Sequence, residues 1–264
     1  MKELQDILNP QLITSFFLVL ARISGLFIIA PLLSNQAVPA RVRIALIIML
    51  SLVIVPMAPK AAALLNLKSD LSLISNIIVE LTIGLILGFV CYLVFACVQM
   101  AGELMGIQLG LAIATIFDPA NEGSAGIITS FYVILGSLLF LAMDGHHLMV
   151  AGLTRSFQII PVGLGFNITQ TFGLAEMAGK AFAVAIQITI PLLVVTTVMN
   201  VVFGFITKLS PSMNIYFNTG FIIAPIVGII MLMISIPLFR VLFAQMTEGL
   251  EPGMIRVLRD LKGI

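Results

Sequence analysis

The stretch AGELMGIQLGLAIATIFDPANEGSAG, residues 101–126, decides how the rest of the chain is read. It carries no charge between Glu103 and Asp118, and Gly102, Gly106 and Gly110 recur every four residues, with Ala114 continuing the series. On a helix, positions four apart share a face, so this row predicts a groove without side chains that another backbone could approach. Each such glycine costs a solvated helix about 1 kcal/mol relative to alanine, so close packing or an irregular path must offset about 3 kcal/mol. The apolar run at 104–117 is also shorter than the roughly 20 residues a helix needs to cross a bilayer. The stretch therefore reads as an inserted or re-entrant element between two long membrane helices.

Composition supports that setting. Of 264 residues, 60% are hydrophobic and 9% are charged, against about 25% charged in an ordinary soluble domain. A single soluble domain of this size cannot bury so much apolar surface, so lipid or partner subunits must cover it. The net charge of +1 gives no electrostatic case for nucleic acid. The opening MKELQDILNP is a poor signal peptide, with acidic Glu3 and Asp6, and residues 12–33 read as an uncleaved span. Cys91 and Cys97 lie six apart in one apolar segment, about 9 Å along a helix axis. That exceeds the roughly 7 Å reach of a disulfide, so both read as small apolar fillers.

Apolar segments fall at 12–33, 42–59, 71–100, 127–143, 181–207 and 220–243. A helix satisfies its own backbone in lipid, and no segment shows the alternation of a barrel strand. The expected fold is all-α, an integral-membrane protein of about six long apolar helices in kinked hairpins, with the glycine-rich stretch as a central loop. Ser124 is the expected N-cap of the fourth segment, Gly84-x-x-x-Gly88 a second close-packing face beside Gly102, and Pro191, Pro225 and Pro237 the expected kinks. Tryptophan is absent and tyrosine occurs three times, so the usual aromatic belt is weak and much of the surface is expected to meet protein. Lys/Arg placement favours both ends cytoplasmic, with Arg41, Arg43 and Lys208 on the far side. The connection at 144–180 predicts a half-buried helix from about 146 to 159, then a glycine-rich turn.

Little in the chain argues for catalysis. His146 and His147 are adjacent, which fans them about 100° apart on a helix, whereas metal-binding pairs are spaced i,i+3 or i,i+4. Only Asp144 is near enough to add a carboxylate, so a structural or capping role is preferred over a metal, and no cofactor is expected. No nucleophile elbow, H-E-x-x-H or Walker loop occurs, and the sequon Asn167-Ile168-Thr169 reads as chance. The chain is not expected to be an enzyme. Arg22 and Glu80 lie inside apolar segments, where an ion is costly and must face protein or a wet cavity. A charge pin between helices is preferred over a proton or substrate relay, because a relay needs several ionisable groups in series.

The order of several short motifs resembles the FliR family of flagellar type III export-gate proteins. They are Ala21-Arg22-Ile23-Ser24-Gly25, Ala30-Pro31 and Val38-Pro39-Ala40-Arg41-Val42-Arg43, then Gly102-Glu103, Gln108-Leu109-Gly110 and Phe117-Asp118-Pro119. Asp144-Gly145-His146-His147, Ser156-Phe157 with Pro161, Pro211-x-x-Asn214-Ile215 and Gly220-Phe221 complete the series. Lys208 and Ser212 stand where the family usually has Arg and Gln.

The resemblance implies a gate built with FliP and FliQ homologues, at which an FlhB homologue docks, in the bacterial inner membrane at the flagellar basal body. Unfolded flagellar proteins would pass through it. It further implies a FliP-like part over 1–170, containing the loop at 101–126, and a FliQ-like hairpin with a polar C-terminal tail over 171–264. The loop would plug the closed pore, with Gly106, Gln108, Leu109, Gly110, Leu111, Ile113, Ile116 and Phe117 as its residues. The competing expectation is a secondary transporter or small-solute channel with a re-entrant loop, although such proteins usually show paired interruptions in both halves.

Overall fold

The structure, a computed structural model, describes residues 10–31, 38–57, 70–110, 126–163, 172–209 and 220–263. Among them are eight α-helices and no strand: α1 (Pro10–Ile29), α2 (Ala40–Ile54), α3 (Asp70–Gln108), α4 (Ile127–Ala142), α5 (Gly145–Ile159), α6 (Phe172–Leu209), α7 (Gly220–Glu248) and α8 (Leu250–Lys262). Over the described residues all six apolar segments are largely helical, because backbone surrounded by apolar side chains has only its own carbonyls to bond. Four regions are long and apolar enough to cross a membrane: Leu12–Ile29, Leu73–Gln108, Phe172–Leu209 and Ile226–Lys262. The pair α4 and α5 makes a fifth if the two are taken as one broken span. At 39 and 38 residues, α3 and α6 are each nearly 60 Å long, about twice the hydrocarbon thickness of a bilayer.

Several expectations are corrected. α2 has 15 residues, too few to span alone. The third segment does not stop near 100. It continues through Gly102 and Gly106 to Gln108, so the first part of the glycine-rich stretch is the end of α3 and not a separate insertion. α4 takes Gly126 as its N-cap, while Ser124 lies outside the described residues. The residues at which kinks are expected lie inside continuous helices, Pro191 in α6 and Pro225 and Pro237 in α7, so that expectation is not among those corrected. The C-terminal segment is no mere polar tail. Its apolar residues Leu250, Met254, Val257, Leu258 and Leu261 recur at helical spacing, and all are buried along one stripe of α8.

The chain forms two compact units interleaved in sequence: Met1–Leu93 with Asp144–Ala178 and Glu248–Ile264, and Val94–Met143 with Gly179–Thr247. This division follows compactness and does not bear on the boundary expected at 170/171. In the first unit α1 packs on α2, and α5 packs on α8. Met254 fills the space a side chain at Gly152 would need, and Met177 does the same at Gly253. Around this contact Gly173 N–H donates to Asp260 (2.7 Å), Arg155 pairs with Glu251 (2.9 Å) and Arg256 with Glu176 (2.5 Å).

The core of the second unit is aromatic. The Phe95 ring lies 5.3 Å from Phe140 and 6.2 Å from Phe243, Phe243 stacks on Phe239 at 5.5 Å, and Phe239 meets Tyr132 edge-on at 5.0 Å. The Tyr132 hydroxyl bonds Ser235 at 2.9 Å, which satisfies the one polar atom of that buried cluster. Much apolar surface stays bare. Only 28% of the membrane-length window is buried in α6 and again in the Ile226–Lys262 region, where Val198, Phe205, Ile229 and Met233 are all exposed.

Candidate functional site

The first unit holds a charged centre with no access to solvent. Arg22, mid-way along α1, and Glu80, in α3, are both fully buried and meet at 2.5 Å through the guanidinium Nε and a carboxylate oxygen. The other Glu80 oxygen accepts the Gly163 N–H at 2.9 Å, from the turn after α5. Arg22 Nη1 donates to the Ser156 hydroxyl at 3.2 Å, and Ser156 donates to the Leu153 carbonyl at 2.6 Å. The guanidinium carbon lies 4.4 Å from the Phe157 ring centre, a cation–π distance. One guanidinium nitrogen, Nη2, makes no hydrogen bond among the described residues. A single ion pair thus ties α1, α3, α5 and the turn at 163 together.

Absent side chains allow these helices to approach. A Cβ at Gly84 would fall on the Arg22 main-chain carbonyl, one at Gly25 on the Leu81 carbonyl, and one at Gly88 would lie 2.8 Å from the Leu26 carbonyl. Glycines on both faces of the α1–α3 contact therefore bring the backbones close enough for a short Arg–Glu bridge.

In the second unit, the glycine row divides. Gly102 meets another backbone, with Thr129 Cα of α4 2.6 Å from where its Cβ would be. Among the described residues nothing lies within 4 Å of where a side chain at Gly106 or Gly110 would begin, so no described backbone continues that groove. Past Met105, the Leu109 N–H still bonds the Met105 carbonyl, and Gly110 then turns left-handed at φ 71°, as helix-ending glycines do. Leu109 is 2% exposed, and its side chain occupies the place a residue larger than glycine would need at 228. Gln108 accepts a hydrogen bond from Thr196 of α6 at 3.3 Å. Leu111, Ile113, Ile116 and Phe117 lie outside the described residues.

The sequence from 13 to 250 matches the family described as "Bacterial export proteins, family 1". The chain belongs to this family. It is 32% identical to the flagellar biosynthetic protein FliR of Pectobacterium carotovorum subsp. carotovorum over 228 residues, 86% of this chain and 85% of that one. To FliR of Escherichia coli (strain K12) it is 29% identical over 252 residues, covering 93% and 92% of the two chains. To FliR of Bacillus subtilis (strain 168) the identity is 28% over 212 residues, with 78% and 80% covered.

In this member of the bacterial export proteins, the motifs that carry the resemblance meet in space. Arg22 and Gly25 of the first motif touch Glu80 and the α3 backbone, while Ser156 and Phe157 of the later motif flank the same guanidinium. The sequence marked Arg22 and Glu80 as charge pins, but not the roles of Ser156, Phe157 and Gly163. Their signal was present only as a small hydroxyl residue and an aromatic beside a glycine-rich turn.

Proposed function

We propose that this chain is a non-enzymatic, structural component of the flagellar type III export gate. It assembles with FliP and FliQ homologues in the bacterial inner membrane, at the basal body, where an FlhB homologue docks, and unfolded flagellar proteins pass through the pore. The family match across 13–250, together with FliR relatives covered over most of their length, carries this reading. The bare apolar faces of α6 and α7 support it, since protein partners would bury them. Within the gate, 1–170 corresponds to a FliP-like part and 171–264 to a FliQ-like hairpin with its C-terminal segment. Arg22 and Glu80 act as a pin: arginine does not release its proton, and both Glu80 oxygens are engaged, so the pair is ill suited to passing protons.

The glycine-rich stretch is assigned to closing the pore. Gln108 and Leu109 root it on α6 and α7, and Gly110 directs the chain away from the helix.

Expressed with FliP and FliQ homologues, the chain should be recovered mainly in one complex with them. Recovery in equal yield as a stable, monodisperse single protein would instead favour a self-contained transporter. Deleting residues 106–117 should leave that complex assembled but make cells leaky to small solutes. Unchanged permeability with a normally assembled complex would remove the plug assignment.

A further inference from the structure

We propose that Asp144, His146 and His147 form a binding site for one divalent transition-metal ion of the zinc class. One ligand atom from each of the three residues lies within 4.8 Å of the others. Adjacent histidines should fan apart along a helix, which argues against a site on sequence grounds alone. In the structure both sit in the first turn of α5, with their ring centres only 4.2 Å apart. Asp144 closes the group from the preceding position, where it adopts a left-handed backbone (φ 56°, ψ 28°) rare for residues other than glycine.

The carboxylate is not used by the helix. Asp144 occupies the N-cap position, yet its side chain makes no capping hydrogen bond. Its Oδ1 lies instead 3.3 Å from His147 Nδ1. A tetrahedral ion with bonds of about 2.0–2.1 Å holds neighbouring ligand atoms about 3.3–3.4 Å apart, so this pair already has the spacing of two ligands. As a bare ion pair, with both side chains more than 70% exposed, it would contribute little. His146 Nδ1 is buried with no hydrogen-bond partner among the described residues, so no bond seen there would have to break for the ring to coordinate.

Two imidazoles and one carboxylate select Zn2+, Co2+ or Ni2+ over Mg2+ and Ca2+, which prefer all-oxygen shells. A fourth position stays available to water or to a neighbouring group. The site stands independently of the export reading. Its effect would be to clamp the start of α5, the helix that carries Ser156 and Phe157 against Arg22.

The test uses the full chain in its detergent-extracted complex, stripped with chelator and titrated with Zn2+ against a chromophoric competitor. One ion per chain should bind with a Kd of about 1 µM or tighter. His146→Ala and His147→Ala should each weaken binding at least about tenfold, in complexes recovered at unchanged yield. Excess Mg2+ should not compete. Co2+ bound to the unaltered protein should give the visible spectrum of a nitrogen-ligated, low-coordinate ion, which keeps the proposal testable if a histidine variant fails to assemble. Equal Zn2+ affinity in the double histidine variant, no saturable binding below about 1 mM, or a hexaaquo-like Co2+ spectrum would each overturn it.

Discussion

Replacing Arg22 with leucine is expected to remove most of the assembled complex while leaving export per surviving complex close to normal. The substitution strands a fully buried Glu80 carboxylate with one backbone N–H as its partner. Breaking a buried pair from one side costs about 3–5 kcal/mol, because the remaining charge keeps its desolvation penalty and loses its attraction. That is a large share of the 5–15 kcal/mol that typically separates folded from unfolded chains. Removing both charges, with Arg22→Leu and Glu80→Leu together, should recover much of the loss. The residual cost should be about 1–3 kcal/mol for the unsatisfied Gly163 N–H. Complex yield and exported flagellar protein, measured on the same cells, check this. Normal yield with abolished export in Arg22→Leu, or no rescue by the double change, would favour a relay over a pin.

A methyl group at position 84 should also be damaging, though less so than the lost charge, while the same methyl at 106 should be harmless or helpful. At Gly84 the new Cβ falls on the main-chain carbonyl of Arg22, which cannot swing aside as a side chain would. α1 and α3 would have to separate, at a cost of about 1–3 kcal/mol for overpacking, and their separation would also lengthen the Arg22–Glu80 bridge. Gly106 lies inside α3 with open space around it, so Gly106→Ala should gain up to about 1 kcal/mol of helix propensity. Melting temperatures of the purified complexes should therefore move in opposite directions. A fall for both would mean that Gly106 is closely packed in the assembly, as its place in the glycine row first suggested.

These two positions show what spacing in a sequence does and does not convey. Gly84 and Gly88, four apart, do lie against another helix, and so does Gly102. Gly106 and Gly110 continue the same interval but meet nothing among the described residues, because a row of glycines marks where a backbone could approach, not whether one does. The C-terminal helix was hidden for a related reason. Averaged along the chain, residues 247–264 look polar, and only their three-and-four spacing separates the stripe on α5 from the charged face. Asp144, His146 and His147 invert the lesson: an interval that disfavours a metal pair on an ideal helix still leaves three ligand atoms within 4.8 Å of one another, beside a left-handed Asp144.

By itself the sequence determined the class of structure, since apolar runs of this length must be helical wherever water is excluded. It also determined that Arg22 and Glu80 need partners, because an isolated ion in apolar surroundings is too costly to keep. Only the tertiary structure decided that they partner each other, with Ser156, Phe157 and the Gly163 N–H completing the group. Those contacts join residues 58 and 134 positions apart, and local periodicity holds no information about which distant helix comes to lie alongside. The same holds for the glycine-rich stretch. Its lack of charge and its spacing are local facts, whereas the seat of Leu109 on Gly228 and of Gln108 on Thr196 depends on where α6 and α7 pack.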